Sequence, residues 1–535
     1  MIEIVMGDQV LDVLSDADIQ RGWDELYEAC PWGTVFQSRG FVSSWYRTYR
    51  QVYLPVLVVG ERAGRLRGLL ALALPPGGGG PLVGAGHFEA EYQCWLSEEG
   101  EGASFITDAL AALQRRLPGQ AVHLRFLPPG APLAWATADP RWRPQCVLEP
   151  ARRPLMDMAD PKLPKILHLS GQNKSKLNRL RRLGEVRLER VTDPAAFSAM
   201  LGELAVQYDF RQGALFNKNR FRENPRKALF LEELFQLGLL HATVLKVNDE
   251  VIAAIAAVIS KDWVHLGGVN IHTPLYANYY SPGFVHFLML GQLLSEEGVA
   301  VFDLTPGGDS YKERMATKHD YVNELVITNK LSFRLKKQIK KRFHDWLIQS
   351  GLRPMSVELA IRKKIYLVKS KIKALAFSGL KSLLSQAKKG ETKLYKILLS
   401  SLKQTNSSPT IEIRNSNLND LLDYDGRGAW RTRWEFLEEA MRRFESGERS
   451  YTWAAGGRLL ACAWRGAGSA GEGVPAGAAV LRGIYCHPAG RGRLADFLAA
   501  VAGDALRDGG QPVYAAARGA STGKALKTAG FVLMD

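Results

Sequence analysis

Two short stretches of this chain carry residue types that can do chemistry at the spacing chemistry needs. In Gly307-Gly308-Asp309-Ser310-Tyr311-Lys312, a carboxylate, a phenol and an ammonium fall within four positions behind a Gly-rich loop. Such a set can accept a proton, donate one and steady a negative charge developing on a reacting group. Upstream, Tyr279-Tyr280-Ser281-Pro282-Gly283 reads as a turn that opens a helix. The first N–H groups of a helix and the positive end of its dipole favour a phosphate. Pro282 suits the first helical turn, where its missing N–H costs nothing, and Gly283 lets a ligand approach the backbone closely. The same tripeptide also serves as a plain helix start, and a motif this short does not decide between the two.

The elements around these stretches have a readable order. Trp263 to Val269 is strand-like. Phe284, Phe287, Leu288, Gly291 and Leu294 form a helical apolar stripe that Gly298 stops. Val299 to Leu304 is a short buried strand, with Asp303 inside it expected to pair with Arg314 or Lys312. Before this block come a basic helix over 163–183, a strand at Val186 to Val191, helices over 194–209 and at Phe230 to Leu237, and a hairpin around Asn248-Asp249-Glu250. The N-terminal third shows a fainter version of the same order. It has a helix cap at Ser15-Asp16, a helix over 41–50, a hairpin at Val56 to Leu74, a helix over 103–116 and a strand at Ala121 to Phe126. Pro128 to Pro154 is Pro-rich and aperiodic, and reads as a crossing between two lobes.

The order YANYYSPG, helix, FDLTPGGDSYKERMA resembles the cellulose-biosynthesis CelD-like (BcsL-like) acyltransferases of the GNAT superfamily, relatives of the FemABX aminoacyl transferases. Two further blocks share the resemblance: Thr34 to Ser38 with Phe41 and Trp45, and the basic run Lys174 to Leu183. The resemblance implies acetyl-CoA or another acyl-CoA as cosubstrate and no metal. It places Gly267, Gly268, Val269 and Asn270 where backbone N–H groups face a thioester between splayed strands, and Ser281 and Gly283 at the pyrophosphate. Lys312 sits at a position like the FemABX lysine that stabilises charge, with Asp309 to orient it or take a proton and Tyr311 to donate to a leaving thiolate. Gln37 and Asp303 are candidates for the acceptor side. Tyr208, Asp209 and Arg211 occupy a segment where the family often has a His, and of these Arg211 is the better anion binder.

Composition bounds the remainder. With 535 residues, 46% apolar content and 12 Trp, the chain is expected to hold several packed domains. It shows no run of 18 apolar residues and no secretory leader. Its five cysteines (Cys30, Cys94, Cys146, Cys462, Cys486) are scattered without a CxxC pair, which disfavours a zinc site or a disulfide framework and fits a reducing cytosol. Residues 331–405 hold 19 Lys and Arg against 3 Asp and Glu, an excess equal to the chain's whole net charge of +16. These cationic, amphipathic helices suit an anionic membrane surface, or pack on the enzyme with a solvated basic face.

Residues 410–535 again resemble a GNAT domain: helix 430–445, strands around Gly456-Gly457, strand Ala479 to Cys486, helix Leu494 to Arg507 and a closing helix–strand. His487 to Arg493 looks like a shortened CoA loop, with Arg491, Gly492 and Arg493 as its cofactor candidates.

The expected fold class is α/β: tandem GNAT-like lobes over 1–155 and 156–330, a basic helical linker over 331–409, and a third GNAT-like domain over 410–535. The expected activity is acyl transfer from acyl-CoA to an amine or hydroxyl on a sugar or polysaccharide precursor. The alternatives are a FemABX-type transferase using aminoacyl-tRNA, for which the basic segment would suit tRNA, and a non-catalytic scaffold of a polysaccharide synthase. The expected partners are a small-molecule or glycan acceptor and an anionic membrane met through 331–405. The expected location is cytoplasmic, peripheral to the inner membrane.

Overall fold

The computed structural model describes residues 1–168, 171–276, 281–378, 392–398, 411–427, 429, 431–469, 473–509 and 512–534. It is α/β throughout and contains two compact units. The first comprises 1–202, 224–271 and 282–354, and the second 203–223, 272–281 and 355–535.

The first unit is built on one sheet. Its strands are β1 (Ile2–Met6), β2 (Leu54–Arg62), β3 (Arg65–Leu74), β4 (Leu82–Gly84), β5 (Leu96–Ser97), β6 (Val122–Leu127), β7 (Cys146–Asp157), β8 (Val186–Val191), β9 (Leu240–Val247), β10 (Glu250–Ser260), β11 (Trp263–His272), β12 (Val301–Asp303) and β13 (Lys318–Ile327). They run in the order β1-β2-β3-β4-β6-β13-β7-β12-β11-β10-β9-β8, with β5 beside β3. Strand β4 runs parallel to β6, and β11 to β12. Each parallel pair lies in the middle of one lobe, so the tandem arrangement expected from the sequence is present.

The boundary expected at 155/156 falls inside β7. This strand pairs with β13 over its whole length and then with β12 at Leu155, Met156 and Asp157, while β13 also pairs with β6 of the N-terminal lobe. The two lobes therefore each lend the other a strand. The Pro-rich sequence hid β7 because Pro150 and Pro154 argue against a central strand. Over most of its length β7 has a partner on one side only, and the two prolines share parity. A one-sided strand leaves alternate N–H groups outside the ladder, which is where proline fits.

Local chemistry explains the other elements. Asp16 caps the helix Ala17–Ala29 by accepting from the N–H groups of Asp18 and Ile19. The expected helix over 163–183 is two pieces, Leu163–Leu167 and Gly171–Arg181, with residues 169–170 outside the described set. Helix Pro282–Glu296 buries Phe287, Leu288, Leu290 and Leu294 against Ile255, Ala257, Val264 and Phe302. Its Gly291 is required by packing, since a Cβ there would come within 2.7 Å of the Leu167 side chain.

The second unit has strands β14 (Thr392–Ile397), β15 (Arg414–Asn415), β16 (Arg449–Ala455), β17 (Arg458–Ala467), β18 (Ala479–Cys486), β19 (Val513–Arg518) and β20 (Val532–Leu533). Their order is β15-β16-β17-β18-β19-β14-β20, and β18 runs parallel to β19. Strand β14 lies within the span expected to be a helical linker. Its sequence TKLYKI buries Tyr395 and Ile397, so it reads as a strand once the surrounding lysines are set aside. The linker's helical part is confined among the described residues to Leu331–Gln349 and Pro354–Ser378. Helix Pro194–Phe216 contributes Phe210 and Ala214 to this unit's core, against Leu421, Phe436, Leu437, Phe444 and Trp464. No helix among the described residues is long and apolar enough to cross a membrane.

Candidate active site

Strands β11 and β12 are in register at three rungs, the last being His265 opposite Asp303. Beyond that rung β12 ends, and β11 continues beside β10 through Gly267 to His272. Gly268 has φ +69°, and a Cβ on it would lie 2.5 Å from the Ala256 carbonyl oxygen, so only glycine fits here. Val269 is fully buried, backbone included, which corrects its expected place at a cofactor, whereas Gly268 and Asn270 are part-exposed.

The rung at which the strands part is the centre of a buried polar cluster. The Asp303 carboxylate accepts from the Tyr92 hydroxyl at 2.6 Å and from the Thr305 N–H at 2.8 Å. His265 Nδ1 lies 2.9 Å away and the Arg153 guanidinium 3.4 Å. Arg153 is also held by Asp320, at 2.7 and 2.5 Å, and lies over the Tyr92 ring. Burial alone would raise the Asp303 carboxyl, but the His265 hydrogen bond and the charge of Arg153 reverse this and hold it below the usual carboxylate range. Asp303 is thus a fully enclosed joint, and its expected roles are corrected. It does not face a substrate, and Arg153 takes the place expected for Lys312 or Arg314.

Lys312 is buried. Its ammonium donates to the Thr305 hydroxyl at 3.0 Å and carbonyl at 3.2 Å, with the Asp309 carboxylate at 3.8 Å. Thr305 has φ +62°, a strained value for a β-branched residue, and Lys312 pins it. Burial lowers the Lys312 pKa against the opposing pull of Asp309, Glu91 and Asp303. Asp309 starts the short helix Ser310–Met315 and remains half-exposed. Tyr311 packs by its ring on Phe287, at 5.2 Å between centroids.

Glu91 belongs to the same cluster. Burial pushes its carboxyl up, against the charges of Arg125 and Lys312. Arg125 lies 3.1 Å from it, and the Glu91 side chain keeps 15% exposure. The loop bearing Glu91 and Tyr92 fills the parting between β4 and β6 in the first lobe. Gln93 there exchanges backbone and side-chain hydrogen bonds with Arg125 and donates to the His87 carbonyl, and its side chain occupies the space a Cβ on Gly84 would need. The first lobe's opening is therefore plugged, and the plug presents a carboxyl to the second lobe.

Gln37 is buried and acts at one remove. Its Oε1 accepts from Thr34 in a capping box, and its Nε2 donates to the Tyr92 carbonyl at 2.9 Å. With both ends of its amide occupied by protein it braces Tyr92, which corrects its expected place on the acceptor side.

At the start of helix Pro282–Glu296, Ser281 has φ +48° and Gly283 is part-exposed; residues 277–280 of the turn lie outside the described set. The Phe284 ring has the Arg314 guanidinium over it at 4.8 Å and the Lys176 ammonium at 5.0 Å. Lys176 is lowered by burial and then by the charges of Arg314 and Arg179. Cations crowded at a helix N-terminus repel one another, and an anion bound there relieves the repulsion. The donor set fits a diphosphate.

Arg211 lies in the second unit, where its charge, after burial, lowers His272 to about 4. Asp209 accepts from the N–H groups of Phe221 and Arg222, capping a helical turn. In that unit the His487 ring accepts from the Ala489 N–H, the Gly490 N–H donates to the His487 carbonyl, and Arg493 is 3.2 Å from Asp496. The loop's own atoms thus take up donors that a phosphate would need, while Arg491 and Gly492 are exposed.

The sequence offered a signal for one of the members it did not reveal. His265, like the Asp303 already singled out, is an ionisable residue set among apolar neighbours in its strand, whereas Arg153 lies in a strand that also carries Glu149, Arg152 and Asp157 and was not marked in this way. Glu91 had no such signal, because its role depends on where a loop is folded.

Residues 171–313, from the basic helix to the residue after Lys312, match the profile of the acetyltransferase (GNAT) domain family. The fold of this segment is of the GNAT acyltransferase type. No curated protein matches the chain. Among solved structures, similar chains include the C-terminal domain of a putative lysylphosphatidylglycerol synthetase from Agrobacterium fabrum, at 12% identity over 60% of this chain and 94% of that one, TM-score 0.40. FemX is similar at 10% identity over 59% and 98%, TM-score 0.41. A tandem GNAT protein from the clavulanic acid biosynthesis pathway is similar at 11% identity over 61% and 98%, TM-score 0.34. All three scores are below 0.5, and no activity is carried over from them.

Proposed function

We propose that the first unit transfers an acyl group from acyl-CoA to an amine or hydroxyl of a sugar or polysaccharide precursor. The observation that carries this reading is the pairing of a raised carboxyl, Glu91, with a lowered ammonium, Lys312, beside the rung where β11 and β12 part. Oppositely shifted groups in one cluster suit proton transfer near neutral pH. The thioester supplies an activated acyl carbon. Arg314 and Lys176 hold its phosphates at the head of helix Pro282–Glu296, and the part-exposed Gly268 and Asn270 offer backbone N–H groups past the end of β12. Glu91, which keeps some exposure, takes the acceptor's proton as the acceptor's N or O bonds to the acyl carbon, and Lys312 steadies the charge on the acyl oxygen; the C–S bond then breaks and CoA leaves as a thiolate that takes up the proton from Glu91. The glycan acceptor is supported by the sequence motifs shared with cellulose-biosynthesis acyltransferases.

Calorimetry with acetyl-CoA and longer acyl-CoAs tests the reading. We expect binding that Arg314→Gln weakens about tenfold, the loss of one charge-assisted phosphate contact. Absence of heat at millimolar acyl-CoA, together with steeply salt-dependent binding of tRNA, would replace it with an aminoacyl-tRNA donor. An unchanged cellular phenotype with Lys312→Met, together with no acyl transfer by the purified wild-type protein, would point to a scaffold.

A further inference from the structure

We infer that helix Leu331–Gln349 lays the first unit on an anionic phospholipid bilayer. The helix carries six Lys and Arg against one Asp. Leu331, Leu335, Ile339, Phe343 and Trp346 recur at i, i+4, i+8, i+12 and i+15 and so share one side. That side faces solvent: Leu331, Leu335, Ile339 and Trp346 are each more than half exposed. Phe343 and Trp346 stack at 6.0 Å with 23° between their planes, presenting a continuous aromatic surface.

The direction of this stripe is fixed from behind. Leu347 is buried, and Lys337 turns inward to Glu149 of β7 at 2.8 Å and Glu324 of β13 at 3.2 Å. Burial would lower Lys337, but these two carboxylates hold it above its ordinary value. Glu324 is drawn down to about 2, first by the His123 hydrogen bond and, against burial, by Lys337. The helix thus turns Lys337 inward as an anchor and leaves its apolar side outward, the reverse of an ordinary surface helix.

The charge pattern selects the occupant. Lys336, Lys340, Lys341 and Arg342 are exposed around the stripe. A second copy would set these cations against each other. A nucleic acid would satisfy the cations and leave five large apolar side chains in water. Anionic lipid meets both: the stripe enters the acyl boundary while the lysine and arginine heads stay at the phosphates.

Co-sedimentation of the full chain with phosphatidylcholine vesicles, with and without phosphatidylglycerol, tests this. We expect sedimentation that requires phosphatidylglycerol and fades with salt. Lys336→Gln with Lys341→Gln should weaken it about 25-fold, at about fivefold per cation, and Ile339→Glu with Trp346→Glu about tenfold or more. Unfolding temperatures should not change, since every altered side chain is exposed. The inference is overturned if the chain ignores both vesicles at low salt, binds them equally, or binds unchanged in the variants. It is also overturned if the wild type is a dimer that Ile339→Glu dissolves without any vesicle binding.

Discussion

The parting of β11 from β12 in the first unit and that of β18 from β19 in the second are built to one plan. Each parallel pair has three rungs, and each leading strand then carries a glycine at positive φ, Gly268 at +69° and Gly483 at +56°. Each is followed by a short 3-10 segment and a long helix. The surroundings differ. At the first parting sit Asp303, His265, Lys312 and Glu91, and two cations crowd the helix head. At the second, the loop is closed by His487, and Arg493 is committed to Asp496. A shared backbone plan therefore says little about chemistry, which depends on whether the groups around the opening are left with work to do.

The largest effect should come from Lys312→Met, which keeps the bulk and removes the charge. Acyl-transfer turnover should fall by about a hundredfold to a thousandfold, while Arg493→Gln leaves it unchanged. Steady-state kinetics on both variants checks this, and the opposite result would move the active centre to the second unit. The pH profile sharpens the same point. Turnover should rise with pH through a value above the usual carboxylate range as Glu91 loses its proton, and Glu91→Gln should remove that limb.

Asp303→Asn should cost about 3–5 kcal/mol by leaving Arg153 enclosed without its full partners. Its nearest counterpart, Asp420, is paired with the more exposed Arg414 at 3.1 Å and with Thr452 at 2.6 Å, so Asp420→Asn should cost roughly 1–2 kcal/mol. Denaturant melts of the two variants measure the difference.

Acid should also separate the units. His286, enclosed in helix Pro282–Glu296 with Nε2 2.8 Å from the Thr243 hydroxyl, is lowered to about 3 by burial and then by the charge of His241. Its unfolded form binds a proton below about 6.5 and its folded form does not. Stability is therefore full above that value and falls progressively toward pH 3, by an amount on the order of a few kcal/mol. The matching helix of the second unit, Leu494–Gly509, has Phe497, Leu498 and Val501 in its core. Hydrogen exchange at falling pH should open the first helix before the second.

The smallest contrast is in the glycines. Gly268→Ala meets a backbone carbonyl and should cost about 2 kcal/mol, against about 1 kcal/mol for Gly483→Ala, where the obstacle is the movable Arg443 guanidinium. Thermal melts resolve the two.

Most of the elements were legible because their periodicity was local: the hairpin around Asn248, the apolar stripe of Phe284 to Leu294, the Gly-marked ends. Strand β7 was not, because its prolines are tolerated only by the one-sided pairing that another part of the chain creates. Strand β14 was masked by a lysine-rich neighbourhood that set the average. Within the site, Lys312 and Asp309 could be singled out by type and spacing. Gln37 and Asp303 were expected on the acceptor side, yet both are buried with their polar atoms taken by protein, since sequence does not reveal which way a polar side chain turns once buried. Glu91 required long-range folding to become visible.

The reciprocal loan of β7 and β13 has a consequence for how the protein is made. While the chain is being synthesised, the N-terminal lobe lacks β13 until the ribosome has passed Ile327, so β6 must wait with an unpaired edge. Cutting the gene between the lobes would therefore yield two fragments with open sheet edges, each complete only in the presence of the other.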